Sequence, residues 1–78
     1  MTKMNRVTRS ESIAVIIWSN ILRHQYLEGW SNDKLRTVLD ITPRTYYNYQ
    51  HDPSNLTLKQ IQAVMDELDL KMEDLLME

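Results

Sequence analysis

A stretch near the middle of the chain, PRTYYNYQ, contains several polar side chains that could bind a ligand by hydrogen bonding. Arg44 carries five N–H donors, Tyr47 a phenol, and Asn48 an amide that both donates and accepts. In a helix, Tyr46 and Tyr49 would pack inward together because they are spaced i, i+3. Arg44, Tyr47 and Asn48 would then point elsewhere. For Arg44 and Asn48 the lack of a packing task favours contact with a partner over the alternative of ordinary surface residues, whereas both alternatives stay open for Tyr47.

Residue types that often catalyse reactions or bind metals are present, but their spacing is wrong for such sites. His24 and His51 are isolated and have no partner at metal-ligand spacing. The C-terminal acids lack the spacing and glycine of a calcium loop, the serines lack a nucleophile elbow, and there is no phosphate loop. The acids are Asp66, Glu67, Asp69, Glu73 and Asp74, and the serines are Ser10, Ser12 and Ser19. We therefore predict no enzyme, no metal, no cofactor and no small-molecule ligand.

The composition indicates one small intracellular domain. A chain of 78 residues buries only about 60% of the surface that its unfolded form exposes. Because it has no cysteine, the core must be apolar packing without disulfides or thiolate metal sites. No run approaches the ~18 apolar residues of a membrane span, and no signal peptide is evident. We expect a single domain over residues 1–78, a cytoplasmic location and no membrane partner.

The charge is distributed unevenly along the chain. The net charge of -2 argues mildly against a nucleic-acid partner. However, residues 1–50 carry seven Lys and Arg against four Asp and Glu, a net of +3, whereas residues 51–78 carry two against seven, a net of -5. A polyanion would therefore meet the first part and avoid the tail.

The first predicted helix runs from Arg9 to Glu28. Thr8 and Glu11 have capping-box spacing before it, residues 1–7 form a flexible arm, and Gly29 supplies a left-handed C-terminal residue. Its apolar sector is wider than one packed face needs, so either a partner subunit or the C-terminal segment is expected to cover it. That sector contains Ile13, Ala14, Ile17, Trp18, Ile21 and Leu22, and Val15, Ile16 and Tyr26 lie outside it.

Two short helices follow, separated by a tight turn. Ser31 can cap the helix Asn32–Leu39, and Asp40 suits the turn because it is short, polar and tolerated in the left-handed region. Thr42 can cap the next helix, from Pro43 to Gln50, and Pro43 fits its first position. The segment HDPSN is predicted to be a loop.

The last two predicted helices complete an all-α fold of five helices. Thr57 and Gln60 form a capping box that opens a helix ending near Leu68, and a short helix occupies residues 71–77. The predicted inward residues are Leu58, Ile61, Val64, Met65 and Leu68 in the fourth helix, and Met72, Leu75 and Leu76 in the fifth.

The segment LRTVLDITPRTYYNY, residues 35–49, resembles the lambda-repressor-like helix-turn-helix family, the phage repressor and Cro group. The match rests on Leu35, Leu39, Ile41, Thr42, Thr45, Tyr46 and Tyr49, and residues 56–76 look like the family's fourth and fifth helices. Arg36 stands where the family has a small alanine, and Asp40 replaces the turn glycine. The resemblance implies a five-helix lambda-repressor-like domain with a central helix-turn-helix.

The resemblance also implies a role for each candidate residue. The helix from Pro43 would enter the major groove of double-stranded DNA, where Arg44 could pair with guanine and Asn48 with adenine. Pro43 could touch a thymine methyl, and Tyr47 could contact bases or phosphates. The remaining candidates for phosphate contacts are Asn32, Thr42 and Thr45.

These implications favour a sequence-specific DNA-binding transcriptional regulator, a repressor of phage or mobile-element type. A homodimer reading a two-fold-related operator would gain affinity and specificity from two half-sites. The alternative is a protein-binding module on the same fold, such as an antitoxin-like or anti-repressor partner. Its support is the net acidity of the chain, the acidic tail and Arg36.

Overall fold

The computed structural model describes the backbone of residues 3–77 and the side chains of residues 13–77. Within that range the chain is all-α, which confirms the predicted class and the predicted number of helices. The elements are α1 (Lys3–Glu28), α2 (Asn32–Leu39), α3 (Pro43–His51), a 3-10 turn (Pro53–Asn55), α4 (Leu58–Leu68) and α5 (Met72–Leu75). No helix in residues 3–77 combines the length and the apolar character that crossing a bilayer requires.

The start of α1 differs from the sequence prediction. The helix begins at Lys3, six residues before Arg9, so Thr8 lies inside it and is not its cap. Residues 3–8 contain neither glycine nor proline and include the good helix formers Lys3, Met4 and Arg6, so nothing stops the helix there. The predicted arm overlaps α1 at residues 3–7, and residues 1 and 2 lie outside the described part of the chain.

Three helix ends share one structure. Gly29, Asp40 and Asp69 follow α1, α2 and α4 and adopt left-handed φ angles of 73°, 59° and 57°. The residue after each one donates its backbone N–H to a carbonyl five residues earlier. These bonds join Trp30 to Gln25 at 3.0 Å, Ile41 to Arg36 at 3.1 Å and Leu70 to Met65 at 2.9 Å. This arrangement stops the helix and folds the apolar residue onto the core.

The starts of α2, α3 and α4 follow the predicted caps. The hydroxyls of Ser31, Thr42 and Thr57 each accept the backbone N–H three residues further along, at 3.0 to 3.1 Å. Gln60 Oε1 also accepts the Thr57 N–H at 2.9 Å, which completes the predicted capping box. The bounds of α2 are as predicted, whereas α3 continues one residue further, to His51.

The core lies between α1 and the four later helices. Its buried apolar residues are Ile17, Trp18, Ile21, Leu35, Leu39, Tyr49, Ile61, Val64 and Leu75. The prediction that Leu58, Met72 and Leu76 face inward is wrong, since their side chains are 77%, 37% and 45% exposed. Leu58 and Met72 are the first residues of α4 and α5, and Leu76 follows the last residue of α5.

The C-terminal segment covers part of the wide apolar sector of α1. Asn20 is buried there, and its Nδ2 lies 2.9 Å from the Leu75 carbonyl oxygen and 2.7 Å from that of Met77. The amide thereby serves backbone carbonyls at the end of α5, which have no helical partners of their own. Ile13 and Val15 stay about half exposed on α1, so the C-terminal segment does not cover the whole apolar surface.

Candidate functional site

The exposed face of α3 carries the polar residues singled out from the sequence. Arg44, Tyr47 and Asn48 are all exposed, whereas Tyr49 is buried and Tyr46 is half-buried. The spacing i, i+3, i+4 places the three exposed side chains on one side of the helix. The structure therefore brings Arg44, Tyr47 and Asn48 together, as the sequence predicted.

Aromatic packing fixes the opposite side of α3. The Trp18 ring of α1 meets the Tyr49 ring edge-to-face, with centroids 5.5 Å apart and an interplanar angle of 79°. It meets the Tyr46 ring in the same manner at 6.0 Å and 65°. Tyr49 OH donates to Gln60 Oε1 at 3.0 Å, which ties α3 to α4. These contacts restrict rotation of α3 about its axis and so keep Arg44 on the outside.

The start of α3 contains three further candidates, which the structure places at the exposed cap. Thr42 Oγ1 accepts the Thr45 backbone N–H at 3.1 Å and donates to Thr45 Oγ1, also at 3.1 Å. Pro43 is exposed next to them. The two hydroxyls are therefore already held by one another, although Thr42 remains open to solvent.

Asn32, the candidate on α2, is joined to α3 by a side-chain hydrogen bond. Its Oδ1 accepts from Tyr46 OH at 3.1 Å and from Gln25 Nε2 at 2.9 Å. Burial raises the pKa of Tyr46 above 10.0, while the charge of Arg36 acts in the opposite direction. The Tyr46 phenol therefore keeps its proton at neutral pH and can act as the donor.

His51 belongs to the same exposed face, although sequence reasoning treated it as an isolated surface histidine. Its ring centroid lies 4.5 Å from that of Tyr47, and its Nδ1 lies 3.1 Å from the Tyr47 carbonyl oxygen. A carbonyl only accepts, so this contact places a proton on Nδ1. The available signal was the spacing of His51, seven residues after Arg44 and four after Tyr47, but the predicted helix ended at Gln50 and left His51 in the predicted loop.

The cationic side chains of α2 form ion pairs, whereas Arg44 on α3 does not pair with a described carboxylate. On α2, Lys34 Nζ lies 3.6 Å from Glu67 Oε2, and Arg36 pairs with Asp33. Arg44 forms no ion pair with a carboxylate of residues 13–77. An anion approaching the α2–α3 side would therefore meet the Arg44 guanidinium together with hydrogen-bonding groups.

Comparisons of the chain with protein-family models, with curated protein sequences and with solved structures give no match. The likeness of residues 35–49 to the helix-turn-helix pattern thus stands on those residues themselves. What the site does must be inferred from the geometry of α2 and α3.

Proposed function

We propose that this chain is a sequence-specific DNA-binding transcriptional regulator that presents α3 to the major groove. The chief support is the exposed face of α3, where Arg44, Tyr47 and Asn48 lie outside the buried core. The tight left-handed turn at Asp40 sets α2 directly beside it. A short helix joined to a second helix by a tight turn, with polar side chains on its exposed face, suits groove binding.

Each proposed contact follows from the hydrogen-bonding groups of the side chain. Arg44 would donate twice to guanine O6 and N7, and Asn48 would pair with adenine N6 and N7. Pro43 would offer apolar contact to a thymine methyl, and Tyr47 would reach either bases or phosphates. Asn32, Thr42 and Thr45 would position the domain on the phosphate backbone.

The proposal includes a homodimer that represses transcription by occupying a two-fold-related operator, as in phage or mobile-element regulators. Half-sites would be spaced by about 34 Å. Two exposed apolar sets are candidates for the contact between subunits: Ile13 and Val15 on α1, and Leu76 and Met77 at the C-terminal end. Either set, if covered by a second copy, would bury apolar surface now open to water.

Selection from random double-stranded DNA tests the proposal directly. We expect an enriched motif with two-fold symmetry and an affinity that falls as salt rises from about 50 to about 200 mM. If no motif is enriched and no salt-dependent binding is measured, the proposal is wrong.

A protein-binding module on the same fold, of antitoxin-like or anti-repressor type, is the second candidate. The pairing of Lys34 with Glu67 and of Arg36 with Asp33 favours it, because it reduces the positive charge beside Arg44. The acidic region after residue 50 has the same effect. In that case a partner protein would contact the α3 face. An Arg44→Ala variant would then fail to bind that partner, whether or not DNA is present.

A further inference from the structure

A chain of side-chain hydrogen bonds runs from the core to the start of α2. Trp18 Nε1 donates to Gln50 Oε1 at 3.0 Å, and Gln50 Nε2 donates to Tyr46 OH at 3.2 Å. Tyr46 OH then donates to Asn32 Oδ1 at 3.1 Å, and Gln25 Nε2 reaches the same Asn32 oxygen at 2.9 Å. Three helices thereby share one connected set of polar groups.

The donor and the acceptor of every hydrogen bond in this chain are determined by the groups at its two ends, the Trp18 indole and the Trp30 carbonyl beside Gln25. The indole N–H of Trp18 can only donate, so the Gln50 atom facing it must be the oxygen. At the other end Gln25 Nε2 also lies 3.3 Å from the Trp30 carbonyl oxygen, which can only accept. The Gln25 atom that faces Asn32 is therefore the amide nitrogen, and the Asn32 atom that accepts its hydrogen bond must be the oxygen.

The consequence falls on the free end of the Asn32 amide. Two donors occupy Asn32 Oδ1, so the side chain cannot exchange its oxygen and nitrogen without losing both bonds. Nδ2 is on the other branch of the planar amide and therefore points away from Gln25 and Tyr46. Gln25 itself is only 8% exposed, so one of the two donors is held by the packed interior.

We propose that Gln25 and Tyr46 are positioning residues that hold the Asn32 amide with its two Nδ2 protons facing outward, ready to donate to a DNA phosphate. This inference rests on the proposed DNA binding and adds residues that do not themselves touch DNA. A donor fixed before binding loses less rotational freedom on contact than a mobile one, so it binds more tightly.

A double-mutant cycle measures this role. Asn32→Ala removes the phosphate donor, and Gln25→Leu removes one of its two supports while keeping the bulk of the side chain. On a selected duplex site we expect each variant to bind about fivefold more weakly, equally for all sequences, because a phosphate contact reads no base. We expect the double variant to bind no more weakly than Asn32→Ala alone, since Gln25 acts only through Asn32.

The control and the second variant separate this role from a general loss of structure. Gln62→Leu makes the same chemical change on α4, where Gln62 is exposed and bonds only Asp66 among the described residues; its affinity should equal that of the wild type. Tyr46→Phe keeps the ring against Trp18 and removes the other donor to Asn32. We expect it to weaken binding as Gln25→Leu does, with no effect in the Asn32→Ala background.

A measurement without DNA tests the same point. In the free wild-type protein, the side-chain amide of Asn32 should have a higher NMR order parameter than an unsupported side-chain amide on the surface. The exposed Asn48 amide serves as the internal comparison and should fall below about 0.6. Equal mobility of the two amides would overturn the inference.

The binding outcomes also distinguish this inference from the proposed function. If Gln25→Leu weakens binding as much in the Asn32→Ala background as in the wild type, the positioning role is wrong and the DNA-binding proposal stands. If the wild type binds no duplex, both are wrong.

Discussion

Arg44 and Asn48 lie four residues apart on α3, about one helical turn, and both are exposed. Each offers a pair of hydrogen-bonding groups, but only Arg44 carries a charge. In the proposed complex they would contact neighbouring base pairs, and their contributions can be separated by the base that each one reads.

Alanine substitution of either residue is expected to weaken specific binding by about 1 to 3 kcal/mol and to relax specificity at one base position. Arg44→Ala should also lower the slope of log affinity against log salt by about one, whereas Asn48→Ala should leave that slope unchanged. Fluorescence anisotropy with labelled duplexes measures both quantities.

Arg23→Ala is the charge-matched control, because Arg23 is exposed on α1, a different element from α3. It should change affinity little and leave base preference intact. Unchanged affinity in both the Arg44 and the Asn48 variants would exclude the assignment of α3 as the base-reading helix.

Asn20 is the buried polar residue on which the docking of α5 depends. Asn20→Leu keeps a similar side-chain shape but leaves the Leu75 and Met77 carbonyls without their amide donor. We expect the free energy of unfolding to fall by about 1 to 3 kcal/mol. Urea denaturation followed by circular dichroism measures it, with Ser19→Ala, an exposed neighbour, as a control that should shift stability by less than about 0.5 kcal/mol.

Tyr46 links stability to alkaline pH. Its folded-state pKa is raised above the ordinary 10.0 by burial, so the folded state favours the protonated phenol. This contribution to the free energy of unfolding is fully present below about pH 10 and is lost as pH rises through the folded-state pKa. Tyr46→Phe should therefore show a smaller decline between about pH 9 and about pH 11. Tyr26→Phe, at an 84% exposed position, should decline like the wild type.

At the scale of the elements, the three left-handed helix ends share a sequence pattern. Each has a left-handed residue, an apolar residue and then the N-cap residue of the next helix. The three segments are GWS at residues 29–31, DIT at 40–42 and DLK at 69–71. Two of the three use aspartate where glycine would adopt the same φ without strain. The connections are short because the N-cap of the next helix comes only two residues after the left-handed residue that ends the previous one.

Substitution of Asp40 is the most informative test of these helix ends, because Asp40 joins the two helices of the proposed site. Asp40→Val should lower the free energy of unfolding by about 1 to 2 kcal/mol, because a β-branched side chain is strained at φ 59°. Asp40→Gly should be tolerated. Asp66→Val, in the middle of α4, is the matched control and should cost far less. Equal losses for the two valine variants would contradict the strain explanation.

What the sequence predicted well was local. Ser31, Thr42, Thr57 and Asp40 act on backbone groups within five residues, so their roles follow from residue type and spacing alone. The start of α1 was missed because Thr8 and Glu11 satisfy a capping-box spacing equally well inside a helix.

What the sequence could not predict depends on the packing of distant segments. The exposure of Leu58 depends on whether another helix packs against the start of α4, and the apolar spacing within α4 does not specify this. The bond between Trp18 and Gln50 joins residues 32 positions apart. For the candidate site, the exposed face of α3 could be predicted from Tyr46 and Tyr49, but not the support of Asn32 by Gln25.

At the scale of the whole molecule, positive and negative charge are unevenly distributed along the chain. The described chain measures 42 × 26 × 20 Å along its principal axes. The region before residue 51 is net positive and the region after residue 50 is net negative. The ion pair between Lys34 and Glu67 joins these regions across α2 and α4. The negative charge of α4 therefore partly offsets the attraction of α2 for a polyanion.

Sedimentation analysis can locate the proposed dimer contact. Ile13→Glu places a charge in the exposed set on α1, and Met77→Glu places one in the C-terminal set; both sites are already about half exposed, so folding should be retained. We expect one of them to raise the dimer dissociation constant by about tenfold or more, because burying an unpaired carboxylate is costly.

Leu58→Glu serves as the control, since Leu58 is 77% exposed on α4 and belongs to neither set. It should leave the dimer intact. If the wild type is a monomer at all concentrations, or if neither variant weakens the dimer, the proposed contact surfaces are wrong.

Trp18 is 4% exposed, and its indole N–H begins the hydrogen-bond chain that ends at Asn32. The molecule thereby contains an optical probe connected to the outer end of α2. The variant Trp30→Phe would leave Trp18 as the only tryptophan of the chain. The wavelength and lifetime of its fluorescence would then report, without any attached dye, whether binding at Asn32 changes the surroundings of the Trp18 indole.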